Sequence, residues 1–313
     1  MMKKRDFVRR VQRDFPSCLP EEIRPEIRLS EVRVTKSNDR KLYGINIRRG
    51  QEPAAPTFYL DDLYHRYVMG EQIDDLIREL AESYLRCESG RKVQLKAPPP
   101  DADGCVTLLA LRLLSKERNQ EYLRDLVYRD VGNGLALTCD MRAWAEGSGE
   151  WRMRITRDVA SEMGLSQKEL FDDALYTCSI GNPAILITLD DSDDAGPHNY
   201  LEDSGTIPPD ARSPFYILTT QGYRFGAAAL YYRGVRETIA ERFGEGYYAV
   251  PTSVHEFMIV PDSSGTPPEK LRELLEYSNQ HMLPPEDILA DDLYHYDYAT
   301  QELCTNVDLR HFS

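Results

Sequence analysis

The chain has 313 residues, 41% of them hydrophobic and 29% charged, which is the composition of a globular protein with ample material for a core. No apolar run approaches the roughly 18–20 residues that span a bilayer, and residues 1–15 have a positive flank without an apolar stretch, so export and membrane insertion are not expected and a cytoplasmic location is. The net charge of −14 repels phosphates and disfavours general nucleic-acid binding, although residues 1–50 carry 14 Lys/Arg against 7 Asp/Glu, a local +7 that leaves −21 for the remainder.

In chain order, Phe7, Val11 and Phe15 recur at helical spacing over 4–15, and Pro16 ends that helix because proline lacks the amide donor. Ile27–Thr35 and Lys41–Ile47 alternate apolar and polar residues around Ser37-Asn38-Asp39, a hairpin pattern. A strand is expected in APTFYL, then a helix over 72–87 with Ile73, Leu76, Ile77, Leu80, Ala81 and Tyr84 on one face. Pro98-Pro99-Pro100 favours an extended linker or loop, and a helix is expected over Val106–Leu114. Strands at 126–130 and 135–142 flank Val131-Gly132-Asn133-Gly134, a turn whose Gly and Asn accept positive φ.

A further strand is expected at 151–155. Ser166 and Glu169 form a capping box ahead of a helix over 167–177, with Leu165 and Leu170 placed as a hydrophobic staple. AILITL reads as a strand. Residues 217–262 read as strand, turn, strand, helix and two more strands. Thr266-Pro267-Pro268-Glu269 predicts a second boxed helix with Leu271, Leu274 and Leu275 facing inward. The pentapeptide DDLYH occurs at 61–65 and at 291–295 without flanking similarity, too little to indicate duplication.

Six cysteines (18, 87, 105, 139, 178 and 304) include no CxxC pair, which points to free thiols in a reducing compartment and away from a thiolate zinc site. Ser253, His255 and Glu256 are the catalytic candidates, since a serine nucleophile needs a base and the base an orienting acid. If 250–261 is one extended segment, however, Ser253 and His255 stand about 7 Å apart and Glu256 points away, so a structural role is favoured. Asp191, Asp193, Gly196, Asn199 and Glu202 fall on positions 1, 3, 6, 9 and 12 of a calcium loop. Ala195 takes a ligand position and a strand enters the loop, so an acidic surface loop is favoured there. No phosphate-binding glycine motif is present and no cofactor is implied.

Several segments resemble a bacterial family, domain of unknown function 5688: APTFYLDDLYHRYVMGEQIDDL (55–76), KERNQEYL (116–123), ITRDVASEMGLSQKELFDDAL (155–175), YRFGAAALYYRGV (223–235), VPTSVHEFMIVP (250–261) and LPPEDILADDLYHYD (283–297). The C-terminal half is more distantly similar to YtpQ-like proteins. Neither resemblance implies a catalytic residue. At Tyr176-Thr177-Cys178 the chain departs from the Asn-Thr pair that the resemblance leads one to expect.

The resulting expectation is an α+β protein of hairpins and amphipathic helices in two lobes, 1–147 and 148–313, divided near Ala145–Gly149, with a single domain as the alternative. A non-catalytic protein-interaction or regulatory role with a protein partner is favoured. A hydrolase or metal-dependent enzyme built from dispersed histidines and carboxylates is the alternative, and an acidic nucleic-acid mimic the third. Between Glu273 and Leu309 there is no Lys or Arg, and Tyr294, Tyr296 and Tyr298 alternate. The alternation is favoured as a final edge strand packing on the core, and the acidic segment is expected to pack beside the basic N-terminal one, within one chain or across a dimer, with the tyrosines supplying buried apolar surface.

Overall fold

A computed structural model describes residues 2–50, 56–89, 108–145, 149–188 and 197–305. The chain forms two compact units, Met1–Gln94 and Leu95–Ser313. In the first, α1 (Lys4–Asp14) precedes an antiparallel meander of β1 (Ile27–Thr35), β2 (Lys41–Arg49) and β3 (Thr57–Tyr59), followed by α2 (Asp61–Val68) and α3 (Ile73–Ser89). The hairpin turn works because Asn38 and Asp39 accept the left-handed region, at φ 57° and 49°. The apolar stripes of α1 and α3 and one face of the sheet meet in a core that includes Phe7, Val11, Phe15, Ile45, Ile47, Leu76 and Tyr84. Asp61 sits in the first turn of α2, accepts the Tyr43 amide at 2.8 Å and pairs with Lys4, so one carboxylate ties α1, β2 and α2 together.

The second unit opens with β4 (Leu109–Ser115), β5 (Tyr128–Gly132), β6 (Leu135–Ala145) and β7 (Gly149–Arg154), all antiparallel. The long central β6 pairs with each of the others. Next come α4 (Arg157–Glu162), α5 (Gln167–Gly181), β8 (Ala184–Ile187), β9 (Tyr216–Thr220), a 3-10 segment at Gly226–Tyr231 and α6 (Val235–Phe243). The chain continues through β10 (Tyr247–Ser253), β11 (Glu256–Pro261), α7 (Pro268–His281), β12 (Tyr294–Asp297) and β13 (Glu302–Thr305). The second sheet has the order β13-β12-β10-β11-β9-β8. Its central strands are buried on both faces, and this is why they read as unbroken apolar runs. Tyr247, Ala249, Phe257 and Ile259 enter the main core with α5, α6 and the four-stranded sheet, while Tyr248, Val250, Met258 and Val260 pack with Leu271 and Leu275 of α7.

The architecture is α+β, and several local expectations hold in detail. The Ser166–Glu169 capping box is complete in both directions, α5 extends to Gly181, and the 132–134 turn has positive φ at all three residues. Other expectations are corrected. Residues 109–115 form the strand β4 and no helix, because the leucine-rich run is buried on both sides and its periodicity cannot tell strand from helix. Residues 226–231 form a buried 3-10 turn where a strand was expected, and α7 starts at Pro268 with no side-chain cap, so the second capping box does not form. Leu274 is 46% exposed and does not face inward.

The boundary expected at 147/148 falls between β6 and β7, which pair in continuous register from Asp140↔Arg154 to Ala145↔Gly149. Tyr294 and Tyr296 are buried within their own sheet: Tyr296 lies opposite Tyr247 and stacks on it at 5.2 Å and 13°. Two of the three alternating tyrosines thus pack within their own sheet, while Tyr298 is exposed. The two copies of DDLYH differ in conformation, helical at 61–65 and running into β12 at 291–295, as expected when tertiary context overrides a short match. Among the described residues no helix is long and apolar enough to cross a membrane.

Candidate functional site

In the second unit a cavity of about 350 Å³ lies where the four-stranded sheet, the end of α5 and the loop after β9 meet. That volume falls within the ordinary range for small-ligand sites. β6 and β7 supply Arg142 and Arg152, the loop supplies Gln221, Gly222, Arg224 and Phe225, and Cys178, Asn182 and Tyr232 complete the wall with β4. Among the described residues that line it, none is acidic. Three guanidinium groups therefore share one small space in a chain whose net charge is −14.

The strand register explains how the cations converge. Arg142 and Arg152 lie directly opposite each other on β6 and β7, an arrangement of like charges that destabilises an antiparallel pair. Two positions along, the same alternation places Arg154 opposite Asp140, a matched pair. Arg112 lies opposite Thr138, which shares the face of Asp140 and Arg142, so Arg112, Arg142 and Arg152 all project from one side of the sheet. Burial pulls the Arg112 guanidinium below its usual range, with Tyr122, Asp140 and Asp287 opposing that shift. Even so, a guanidinium stays charged at any physiological pH.

Phe225 organises this wall. Its ring receives Arg112, Arg152 and Arg224 at 4.4, 4.9 and 5.5 Å from the centroid, within cation–π range. Both Tyr223 and Phe225 hold left-handed backbone, at φ 52° and 57°. For bulky residues such conformations cost on the order of 1–3 kcal/mol each and persist only where the surroundings over-determine them. Here the Asn182 side chain clamps the loop, accepting the Gly222 amide at 2.8 Å while donating to Thr220 Oγ1 at 2.9 Å. Gly226 follows directly. A Cβ there would stand 2.2 Å from Thr219 Oγ1 and 2.7 Å from the His255 carbonyl, so only glycine lets the 3-10 segment dock.

His255 closes the loop from below. Its Nδ1 accepts the Phe225 amide at 3.0 Å, its ring stacks on Phe225 at 5.2 Å, and its carbonyl accepts Thr219 Oγ1 at 2.8 Å. Because Nδ1 accepts, the ring proton resides on Nε2, which faces Asp287 Oδ1 at 3.5 Å. Burial lowers the imidazole pKa, with Asp287 pulling it up and Arg112 pushing it down.

The catalytic candidates occupy different roles from a triad. Residues 250–261 are not one extended segment: β10 ends at Ser253 and β11 begins at Glu256, so Val254 and His255 form the turn and Ser253 faces Glu256 across it. The Ser253 hydroxyl accepts the His255 backbone amide at 3.0 Å, while the imidazole is directed at Phe225 and Asp287. Burial pushes the Glu256 carboxyl up from the ordinary carboxylate range.

Of the calcium-loop candidates, Asp191, Asp193 and Gly196 lie outside the described residues. Asn199 Oδ1 accepts the Leu186 and Leu201 amides at 3.0 and 3.2 Å, and its Nδ2 donates to Glu202 at 2.8 Å. Both side chains therefore brace the chain after β8. Among the described residues no group of three His, Cys, Asp or Glu side chains is arranged to hold a metal. Cys178 lines the cavity as a thiol: it donates to the Leu109 carbonyl at 3.3 Å, and burial pushes its pKa up to about 11.

Sequence reasoning passed over Arg112, Arg142, Arg152 and Arg224. The available signal was the symmetric placement of Arg142 and Arg152 about residue 147 in a hairpin, together with Arg-Phe-Gly at 224–226. No curated protein and no solved structure matches the chain. The family of unknown function DUF5688 matches residues 4–298, nearly the whole length, and the chain belongs to that family.

Proposed function

We propose that the second unit is a receptor for a small, multiply charged anion, a phosphate-bearing or polycarboxylate metabolite, and that the protein serves a regulatory, non-catalytic role in the cytoplasm. The observation that carries this reading is the convergence of Arg142, Arg152 and Arg224 on one cavity that also presents the Phe225 ring. Guanidinium groups offer bidentate donors matched to phosphate and carboxylate oxygens. An anion that bridges two or three of them gains a charge-assisted hydrogen bond from each. The loop geometry supports the same reading, since two left-handed bulky residues are the kind of strain that persists at ligand sites.

Two features weigh against a serine hydrolase: the Ser253 hydroxyl serves the turn and the imidazole serves Phe225; the raised pKa of the buried Cys178 weighs against a thiolate nucleophile. The buried thiols Cys139 and Cys178 suit a reducing compartment. A protein partner would then read the liganded state of the loop. Thermal melting in inorganic phosphate, sulfate and citrate tests the proposal. The midpoint should rise at low anion concentration in the wild type and only at high concentration in Arg152→Ala, where general salting-out stabilisation acts on both. An equal rise in both proteins at low concentration would refute it.

A further inference from the structure

We propose that His255 is the positioning residue of this anion site, holding Phe225 and its arginine wall in place through Nδ1 while neutral and releasing them on protonation. The inference rests on the anion-receptor reading above. Its own basis is geometric. Phe225 is in the left-handed region, its amide has His255 Nδ1 as acceptor at 3.0 Å, and its ring stacks on the imidazole at 5.2 Å and 28°. The same ring carries the guanidiniums of Arg112, Arg152 and Arg224. Nothing else on the imidazole can take over the acceptor role, because Nε2 bears the proton facing Asp287.

Protonation of Nδ1 sets two N–H donors against each other, so the Phe225 amide must leave and the strained 223–225 backbone loses its anchor. The His255 side chain is 30% exposed, which gives solvent protons access. The charged and titratable groups around it are Asp287 from the segment after α7, Arg112 from β4, Arg224 from the loop and Glu256 on its own hairpin. Burial, and secondarily Arg112 and Arg224, disfavour the imidazolium, and Asp287 favours it. The net direction is a pKa below the ordinary histidine value of about 6.5, so in the folded protein the change sets in only below that pH.

Simple electrostatics and this geometry predict opposite outcomes. A new positive charge beside the arginines should tighten anion binding at low pH. Release of the Phe225 amide should weaken it, by about fivefold for the loss of one ordinary hydrogen bond.

The test is sulfate affinity from pH 8 down to about 4.5, where sulfate remains a dianion, measured on wild type, His255→Asn and His255→Ala. Asparagine presents a carbonyl oxygen near the position of Nδ1 and does not titrate. Wild-type affinity should fall about fivefold as pH drops. His255→Asn should bind nearly as well as wild type at pH 8 and show a flat profile. His255→Ala should bind weakly throughout. Affinity in the wild type that rises or stays level with falling pH, or an Asn variant that titrates like wild type, would overturn the role of His255 while leaving the anion site intact. No sulfate binding at any pH would overturn both. If His255→Ala does not fold, the wild-type and His255→Asn profiles still decide the matter.

Discussion

Two pairs of arginines face each other across antiparallel strands in this protein, and they teach different lessons. Arg28↔Arg48 on β1 and β2 and Arg142↔Arg152 on β6 and β7 are the same local motif, a like-charge pair in register. The first pair is largely exposed on a hairpin in the N-terminal unit, where water and counter-ions screen the repulsion. The second is half-buried, stands beside Arg112 on the same face, and meets Arg224 and Phe225 arriving from a loop more than 70 residues later. Like-charge pairing by itself therefore does not make a site. Enclosure, a third and fourth cation, and a strained loop pinned by Asn182 and His255 do.

The largest effect expected from breaking this contrast comes from Gly226→Ala. The added methyl would meet Thr219 Oγ1, the Thr220 amide and the His255 carbonyl, all under 3.0 Å, so the loop cannot dock. A loss of about 3 kcal/mol in chemical denaturation is expected, along with loss of anion-dependent stabilisation. Gly134→Ala, where φ is +74° but the space is open, should lose only about 1 kcal/mol. Next in size is the charge-reversal comparison. Arg152→Glu should weaken phosphate binding at least about tenfold, whereas Arg48→Glu should leave it unchanged.

A smaller effect sharpens the comparison from the opposite side. Arg28→Thr and Arg142→Thr each remove one member of a like-charge pair, so each should change the stability of its unit by no more than about 1 kcal/mol at low salt. Only Arg142→Thr should also cost anion affinity. Small stability changes in both with a loss of binding in one would separate a like-charge pair from a binding site.

The smallest effect is on stability against pH. The folded-state pKa of His255 is depressed, so the unfolded chain binds the proton more readily. The stability due to the neutral imidazole is present above about pH 6.5 and is lost as pH falls through the lower folded pKa. Melting curves of wild type and His255→Asn should diverge only below that point.

Much of the frame was legible in the sequence because it depends on local chemistry. The Asn38-Asp39 and Gly132-Asn133-Gly134 turns, the Ser166–Glu169 box and the stripe from Ile73 to Tyr84 each carry their cause within a few residues. The failures arose where the deciding partner is remote. Leu109–Ser115 is buried on both sides, so no period distinguished strand from helix. The segment after Phe225 reads as a strand until Gly226 is seen packed on Thr219 and the 254–255 turn. Leu274 sits at helical spacing but beyond the edge of the β10–β11 surface that α7 covers, and so stays exposed. The arginine site was hidden for the same reason. Its members come from β4, β6, β7 and the loop after β9, and only strand register and the left-handed loop bring them together.

The most direct test of the central claim is a calorimetric titration of inorganic phosphate at pH 7.5 into three proteins: wild type, the double variant Arg142→Gln/Arg152→Gln, and the double variant Arg28→Gln/Arg48→Gln. Binding to the wild type and to the N-terminal variant, with none to the Arg142/Arg152 variant, is the predicted result. Binding that survives in the Arg142/Arg152 variant, or that disappears in the Arg28/Arg48 variant instead, would contradict the account.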